Sequence, residues 1–273
     1  MKNSLTLLKK NNKIFCIICL VSILILIFSL YNKKIVEYFY ESDYNENNFI
    51  NTGMYVLYVP KREQYIKDVM KKMKLNPEFV QGPDKTKLDL EQLKKDGIIA
   101  KNTEKSRGVL ACYLGHLNII QKFMNSNYKY ALIFEDDIKL PSYIDDTYEK
   151  MKYSINNIPK NTNLLYLGFY KEDCNKLKKY NDIYNIPIRP SGTHCYLIDK
   201  KFAKTFIDTS YPIDTESDTK LINIKQLYDG EKVSRYSINP DYLSIRQNFD
   251  LQNMKEANRN KVPVCLRSKI DIN

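Results

Sequence analysis

The chain has 273 residues, with 43 Lys and Arg against 32 Asp and Glu, a net charge of +11, 43% hydrophobic residues and no Trp. That length supports one large domain or two small ones around a sizeable core, and it excludes a disulfide-held miniprotein. Six of the lysines lie within residues 1–34, which hold no acid, so residues 35–273 carry only +5. A charge that modest, on scattered lysines, argues against nucleic acid as a partner.

Ile14 to Tyr31 is an uncharged run of 18 residues rich in Ile, Leu and Val, long enough to span a bilayer. Lys2, Lys9, Lys10 and Lys13 precede it and Lys33 and Lys34 follow. This imbalance keeps the N-terminus cytoplasmic and predicts a type II single-pass protein whose bulk is lumenal or extracytoplasmic. The run exceeds a usual signal-peptide h-region and no clear small-x-small cleavage site follows, which favours an uncleaved anchor. Residues 1–13 therefore read as a cytoplasmic tail, 14–31 as a transmembrane signal anchor, 32–53 as a polar stem, 54–250 as the main domain and 251–273 as a polar C-terminal tail. Cys16 and Cys19 have CxxC spacing inside the apolar run, where packing or lipid contact suits them better than metal ligation. Among Cys112, Cys174, Cys195 and Cys265 there is no CxxC, and the sequence leaves any disulfide pairing open.

Met54 to Val59 has the β-branched and aromatic content of a buried strand, stopped by Pro60. A helix is predicted from Arg62 to Met73, with Tyr65, Ile66, Val69 and Met73 at helical spacing, and Glu78 to Val80 is a short strand candidate. Gly82 to Asn102 is polar and lysine-rich, a surface excursion with room for one short helix. From Gly108 to Asn125, Val109, Cys112, Tyr113, Ile120 and Phe123 fall on one helix face that also carries His116. Tyr130 to Phe134 is the next strand. Pro141 opens a helix to about Ile155, Leu164 to Leu167 and His194 to Ile198 are strands, and Lys200 to Ile207 and Asp218 to Leu227 are helical. Strands alternating with helices predict an α/β domain with a mostly parallel sheet.

Glu135-Asp136-Asp137 ends one of these strands. At a strand period of two, Glu135 and Asp137 project to one side and Asp136 to the other. Two hard carboxylates converging there suit Mg²⁺ or Mn²⁺, which can in turn hold a diphosphate; a solvated acidic turn is the plainer alternative. In an open α/β sheet ligands lie beyond the carboxyl ends of the strands, so Pro60-Lys61-Arg62 and the acidic triplet should face one crevice. His116 shares its helix face with Cys112 and Ile120 and is by default a packed core histidine. Ser191-Gly-Thr-His194 offers a hydroxyl and an imidazole before a strand, and Pro212-Ile-Asp214 lies in a loop. His194 and Asp214 are the two side chains there that can reach the crevice, although for each, on sequence alone, a structural role is the default.

In order, these pieces resemble glycosyltransferase family 25, which includes lipooligosaccharide and collagen galactosyltransferases. The Met54 to Val59 strand with Lys61 and Arg62 is similar to the family's apolar strand and basic turn. Gly108-Val-Leu-Ala-Cys112-Tyr-Leu-Gly-His116 resembles its Gly-x-x-x-Cys-x-x-Ser-His element, and Leu132-Ile-Phe-Glu-Asp-Asp-Ile138 its Leu-Ile-x-Glu-Asp-Asp-Val strand. Gly192-Thr-His-Cys-Tyr-Leu-Ile198 and Pro212-Ile-Asp214 match later elements, so the likeness covers about residues 54 to 250. Two departures stand out: Gly115 replaces the family's Ser, and Val59-Pro60 replaces Asn-Leu.

The resemblance implies a GT-A-like nucleotide-sugar-binding fold and an inverting hexosyltransferase that uses a UDP-sugar donor, with galactose the expected sugar. It implies a glycan or hydroxylated, collagen-like peptide as acceptor and Mn²⁺ (or Mg²⁺) as cofactor. By the same resemblance Lys61, Arg62, His116, Glu135 and Asp136 fall to the donor site, with Asp136 anchoring the loop. Asp137 is the direct metal ligand, Glu135 contacts ribose or metal-bound water, His194 is a third metal ligand, and Asp214 is the catalytic base. The rival from another class is a membrane-tethered binding protein that keeps the fold without turnover.

Overall fold

The computed structural model describes residues 47–140, 146–169, 176–243, 245–248 and 251. The predicted anchor at 14–31 and all of the predicted C-terminal tail except Leu251 lie outside them. Among the described residues no helix is long and apolar enough to cross a membrane.

In chain order the elements are α1 (Asn47–Ile50), β1 (Thr52–Tyr58), a 3₁₀ turn (Pro60–Arg62), α2 (Glu63–Lys72), β2 (Glu78–Gln81), α3 (Leu90–Lys95), α4 (Arg107–Met124), β3 (Tyr130–Glu135), β4 (Ile138–Lys139), α5 (Thr147–Asn156), β5 (Leu164–Gly168), β6 (Lys178–Lys179), β7 (Tyr184–Ile186), β8 (Cys195–Asp199), α6 (Lys200–Asp208), α7 (Ser217–Asn223), β9 (Arg235–Ile238) and β10 (Arg246–Gln247). Every strand predicted from apolar runs is present within two residues of its predicted bounds. The helix predicted to open at Pro141 is described from Thr147, its first residues lying outside the described set. β1 begins at Thr52, inside the segment read as stem. There the Phe49 N–H donates to Asn156 Oδ1 at 2.8 Å, so this segment packs on the domain.

Eight strands form one sheet in the order β2-β1-β3-β8-β5-β9-β7-β6. β1 pairs in parallel with β2 and β3, β8 runs antiparallel to both β3 and β5, and β9 runs parallel to β5. β7 is antiparallel to β9 and to β6. Only β8 and β7 therefore oppose the common direction, which meets the expectation of a mixed α/β domain with a mostly parallel sheet.

Both faces of the sheet are covered, which is why its strands read as continuous apolar runs rather than alternating ones. Tyr55, Leu57, Ile133, Tyr166 and Tyr196 point into a core shared with Leu110, Tyr113 and Ile120 of α4 and Phe202 and Phe206 of α6. Val56, Leu132, Phe134, Leu165 and Leu197 face Ile66 and Met70 of α2 and Met151 and Ile155 of α5. Helix starts carry side-chain caps that satisfy otherwise orphaned N–H groups: Ser106 accepts from Val109 N–H, Asp89 from Gln92 N–H and Asp199 from Phe202 N–H. Arg235 donates to the carbonyls of Leu221 and Ile224 at 2.8 and 3.0 Å, holding the C-terminal end of α7 against β9. At Gly115 an added Cβ would lie 2.6 Å from Leu57 Cδ1. The space where the family has a serine is thus filled by the strand's own leucine.

Candidate active site

The pairing of β1 with β3 sets Leu57 beside Glu135, so the chain leaving both strands emerges at one sheet edge. β8 arrives there from the opposite direction, and the Glu135 N–H donates to His194 O at 3.0 Å. The basic turn at 60–62, the acidic triplet, the loop 191–194 and the middle of α4 therefore converge, as expected from their places beside the carboxyl ends of β1 and β3.

Asp136 and Asp137 share Arg62, whereas Glu135 has partners of its own. Asp136 is buried and turns back toward β1: its Oδ2 accepts from the Val59 N–H at 2.6 Å and its Oδ1 pairs with Arg62 at 2.8 Å. Burial raises its pKa, against the lowering effect of Val59 and Arg62. These contacts anchor the loop. Asp137 is buried as well, 3.5 Å from the second terminal nitrogen of Arg62, and its Oδ2 accepts from Gln247 Nε2 at 3.3 Å. Its backbone carbonyl accepts from the Asn248 N–H at 2.5 Å, which ties β10 to the site. One guanidinium thus spans two neighbouring carboxylates.

Glu135 faces α4. His116 Nε2 lies 2.9 Å from its Oε1, the Thr193 hydroxyl donates to the same oxygen, and Cys112 Sγ is 3.8 Å away. Burial works against its ionisation, but His116 and Thr193 outweigh it and hold the carboxyl at about 2. The other ring nitrogen of His116, Nδ1, meets the Tyr196 hydroxyl at 3.0 Å. Residues at positions 112 and 116 share a helix face one turn apart, which is what lets both reach one strand-end carboxylate. The Cys112 thiol is pushed well up by burial and by the Glu135 charge.

His194 is fully buried. Its Nε2 donates to Ile245 O at 3.3 Å, and its Nδ1 has no hydrogen-bond partner. Burial lowers its pKa to about 4. Lys61 and Asp214 are exposed, and no hydrogen bond in the described structure joins either to the triplet. The loop of Asp214 is instead laid along 98–100, with Ile213 N–H donating to Ile98 O at 2.8 Å. Asp218, at the start of α7, comes nearer: its Oδ2 accepts from the Gly192 N–H at 3.3 Å, and its neighbour Ser217 has its Oγ 4.0 Å from Cys112 Sγ. The 192–193 dipeptide therefore links Asp218 to Glu135.

Arg62, His116 and the triplet are brought together as predicted, whereas Thr193, Tyr196, Asp218 and Gln247 join them without having been assigned a role. Thr193 was visible as a hydroxyl beside His194. Gln247 carried no signal, because it reaches Asp137 from 110 residues away. A hard cation takes one or two carboxylates and completes its shell with water and substrate phosphates; Asp137 and Glu135, the acids expected to serve it, each already hold protein partners here. Among the described residues the metal-ligating atoms that gather within 4.8 Å of one another are those of Cys112, His116 and Glu135, a group that includes neither Asp137 nor His194.

A family profile described as Glycosyltransferase family 25 (LPS biosynthesis protein) matches residues 54–221. The chain belongs to glycosyltransferase family 25. The matched span runs from the third residue of β1 into α7 and takes in the basic turn, the acidic triplet and the 191–194 loop, so the family assignment and the convergent site concern the same part of the molecule. No curated protein matches the chain significantly. The family makes the chain a glycosyltransferase with a sugar donor and an acceptor.

Proposed function

We propose that this family 25 glycosyltransferase is a membrane-anchored, type II enzyme with a GT-A-like domain. It moves a hexose, galactose first among the candidates, from a UDP-sugar to a glycan or to a hydroxylated peptide. The observation that carries the reading is the convergence of the basic turn and the acidic triplet at the ends of β1 and β3, where Arg62 pairs with Asp136 and Asp137 and Glu135 turns to His116. The family's description as LPS biosynthesis favours the glycan acceptor.

In this reading Arg62 and Lys61 supply positive charge to the donor diphosphate. Asp137, with Glu135 through water or the ribose, would hold Mn²⁺ or Mg²⁺, a cation that neutralises charge on a departing diphosphate. His194 is the third ligand that the family resemblance names; its Nε2 is tied to Ile245 O, so Nδ1 is the nitrogen that would serve. The acceptor hydroxyl attacks the anomeric carbon, forming the new C–O bond as the bond to the diphosphate breaks with inversion. A carboxylate takes the hydroxyl proton and UDP leaves. Asp214 is the base named by the family resemblance, and Asp218 is a second candidate because it is the nearer to Gly192 and Cys112.

The test is a screen of UDP-sugars with Mn²⁺ and glycan or hydroxylated peptide acceptors, read by acceptor-dependent UDP release and by the mass of the product. Release with one UDP-hexose and a product heavier by one hexose is expected. A folded chain that binds no UDP-sugar with either cation contradicts the proposal and leaves the non-catalytic binding protein standing.

A further inference from the structure

The hard-cation set implied by the family is not the set of ligand atoms that this chain gathers most closely. Cys112 Sγ, His116 Nε2 and a Glu135 oxygen converge instead, all within 4.8 Å of one another. We propose that Cys112, His116 and Glu135 form a site for a borderline-soft divalent ion, zinc in the first place, distinct from any Mg²⁺ or Mn²⁺ held with the donor at Asp137.

Four features of the geometry support the site. First, the donors are of three chemical kinds, thiol, imidazole and carboxylate, and a set with sulfur and nitrogen selects zinc or its transition-metal neighbours over Mg²⁺ and Ca²⁺. Second, two of the donors stand one turn apart on α4 and the third ends β3, so rigid elements rather than a loop fix their spacing. Third, the separations are near those that a tetrahedral ion imposes. Zinc bonds of about 2.0–2.3 Å place neighbouring donors roughly 3.3–3.6 Å apart, against 2.9 Å for His116 to Glu135 and 3.8 Å for Cys112 to Glu135. These two pairs need shifts of a few tenths of an ångström, and the third, Cys112 to His116, lies within 4.8 Å.

The fourth feature is the outer layer. A metal-bound histidine keeps its orientation through a hydrogen bond from its second nitrogen, and a ligating carboxylate is itself hydrogen-bonded. Tyr196 occupies the first place at 3.0 Å from His116 Nδ1, and the Thr193 hydroxyl occupies the second on Glu135. Three protein ligands leave a fourth position, on the side of the partly exposed Cys112 where Ser217 and Asp218 stand. Binding releases the thiol proton to solvent and changes no oxidation state. In this arrangement Glu135 serves zinc instead of the donor, so of the two acids given to the donor under the proposed function Asp137 alone would hold Mg²⁺ or Mn²⁺.

The site is tested without reference to glycosyl transfer. The full-length chain, purified with zinc present and then dialysed against excess Mg²⁺, should retain about one zinc per chain by elemental analysis. Replacement with Co²⁺ should give thiolate-to-cobalt charge-transfer absorption in the near ultraviolet. Cys112→Ser should abolish that absorption, and both Cys112→Ser and His116→Asn should lower zinc content at least tenfold with unchanged circular dichroism. Asp137→Asn should keep both signals, and Tyr196→Phe should weaken zinc binding by about tenfold while keeping the cobalt band. A folded wild-type chain that retains no zinc and gives no cobalt band overturns the proposal. Zinc held equally by wild type, Cys112→Ser and His116→Asn overturns it as well, because the ion then lies elsewhere.

Discussion

At the residue scale the two histidines of the chain have different surroundings. His116 faces a carboxylate and a hydroxyl, whereas His194 is enclosed with one nitrogen on a backbone carbonyl, and burial carries it to about 4. A folded-state value below the ordinary 6.5 means that the unfolded chain takes up the proton first. The stabilisation is therefore full above pH 6.5 and is lost as pH falls toward about 4. The loss across the whole window is up to about 3 kcal/mol. Glu135, held at about 2, extends the same trend from the ordinary carboxylate range downward, while Asp136 and Asp199, raised by burial, oppose it there. Urea denaturation from pH 7 to pH 5 should show falling stability in the wild type and a flatter profile in His194→Gln; a wild-type stability independent of pH over that range contradicts this.

The choice of base belongs to the same scale. Asp214 is exposed on a loop tied to 98–100, and Asp218 is linked through Gly192 to the residue that donates to Glu135. Removal of a general base lowers kcat by about 10²–10⁴ and leaves the donor dissociation constant unchanged. Asp218→Asn is expected to show that loss and Asp214→Asn to stay within a few-fold of wild type. The reverse pattern restores Asp214 to the role that the family resemblance gives it.

At the element scale the sheet edge is closed by a contact between backbones. Gly168 ends β5 against β8, and an added Cβ would lie 2.6 Å from both Ile245 O and His194 Nε2. A carbonyl cannot rotate away as a side chain can. Gly168→Ala should therefore cost about 1–3 kcal/mol, seen as a lower denaturation midpoint, and an unchanged midpoint would show that the 245–248 segment yields freely. This contact also marks where legibility in the sequence ended. β1, β3, β5 and β8 could be read because burial on both faces leaves unbroken apolar runs. β4, β6, β7 and β10 have two or three residues each, too few for a period. β9 places Arg235 and Ser237 in its four residues and so lacks an apolar signature, although Ser237 is fully buried. The triplet was legible as a local cluster, but strand alternation does not carry through it: β3 ends at Glu135, residues 136 and 137 form a turn, and Asp136 and Asp137 share Arg62 while Glu135 alone faces α4. The partners of the triplet were not legible, since Thr193 and Gln247 are brought in by strand pairing across 58 and 110 residues.

At the scale of the whole molecule, the chain joins a charged tail and an apolar run at 14–31 to a glycosyltransferase domain of modest charge. That order is the one the proposed membrane-anchored enzyme requires. Alkaline carbonate should leave the full-length chain in the membrane pellet, and its release into the supernatant would contradict the anchor. The domain unites strand ends, α4 and the 191–194 loop around three acids, two of them sharing Arg62 and the third paired with His116, and the proposed glycosyl transfer gives Asp137 the donor-facing role. The most direct measurement is donor-dependent UDP release with Mn²⁺ by the wild-type chain and by Asp137→Asn, alongside circular dichroism of both. The expected result is release by the wild type, reduced by about 10²-fold or more in the variant with the fold retained. Equal release by a folded Asp137→Asn would contradict the assignment of the triplet as the donor site.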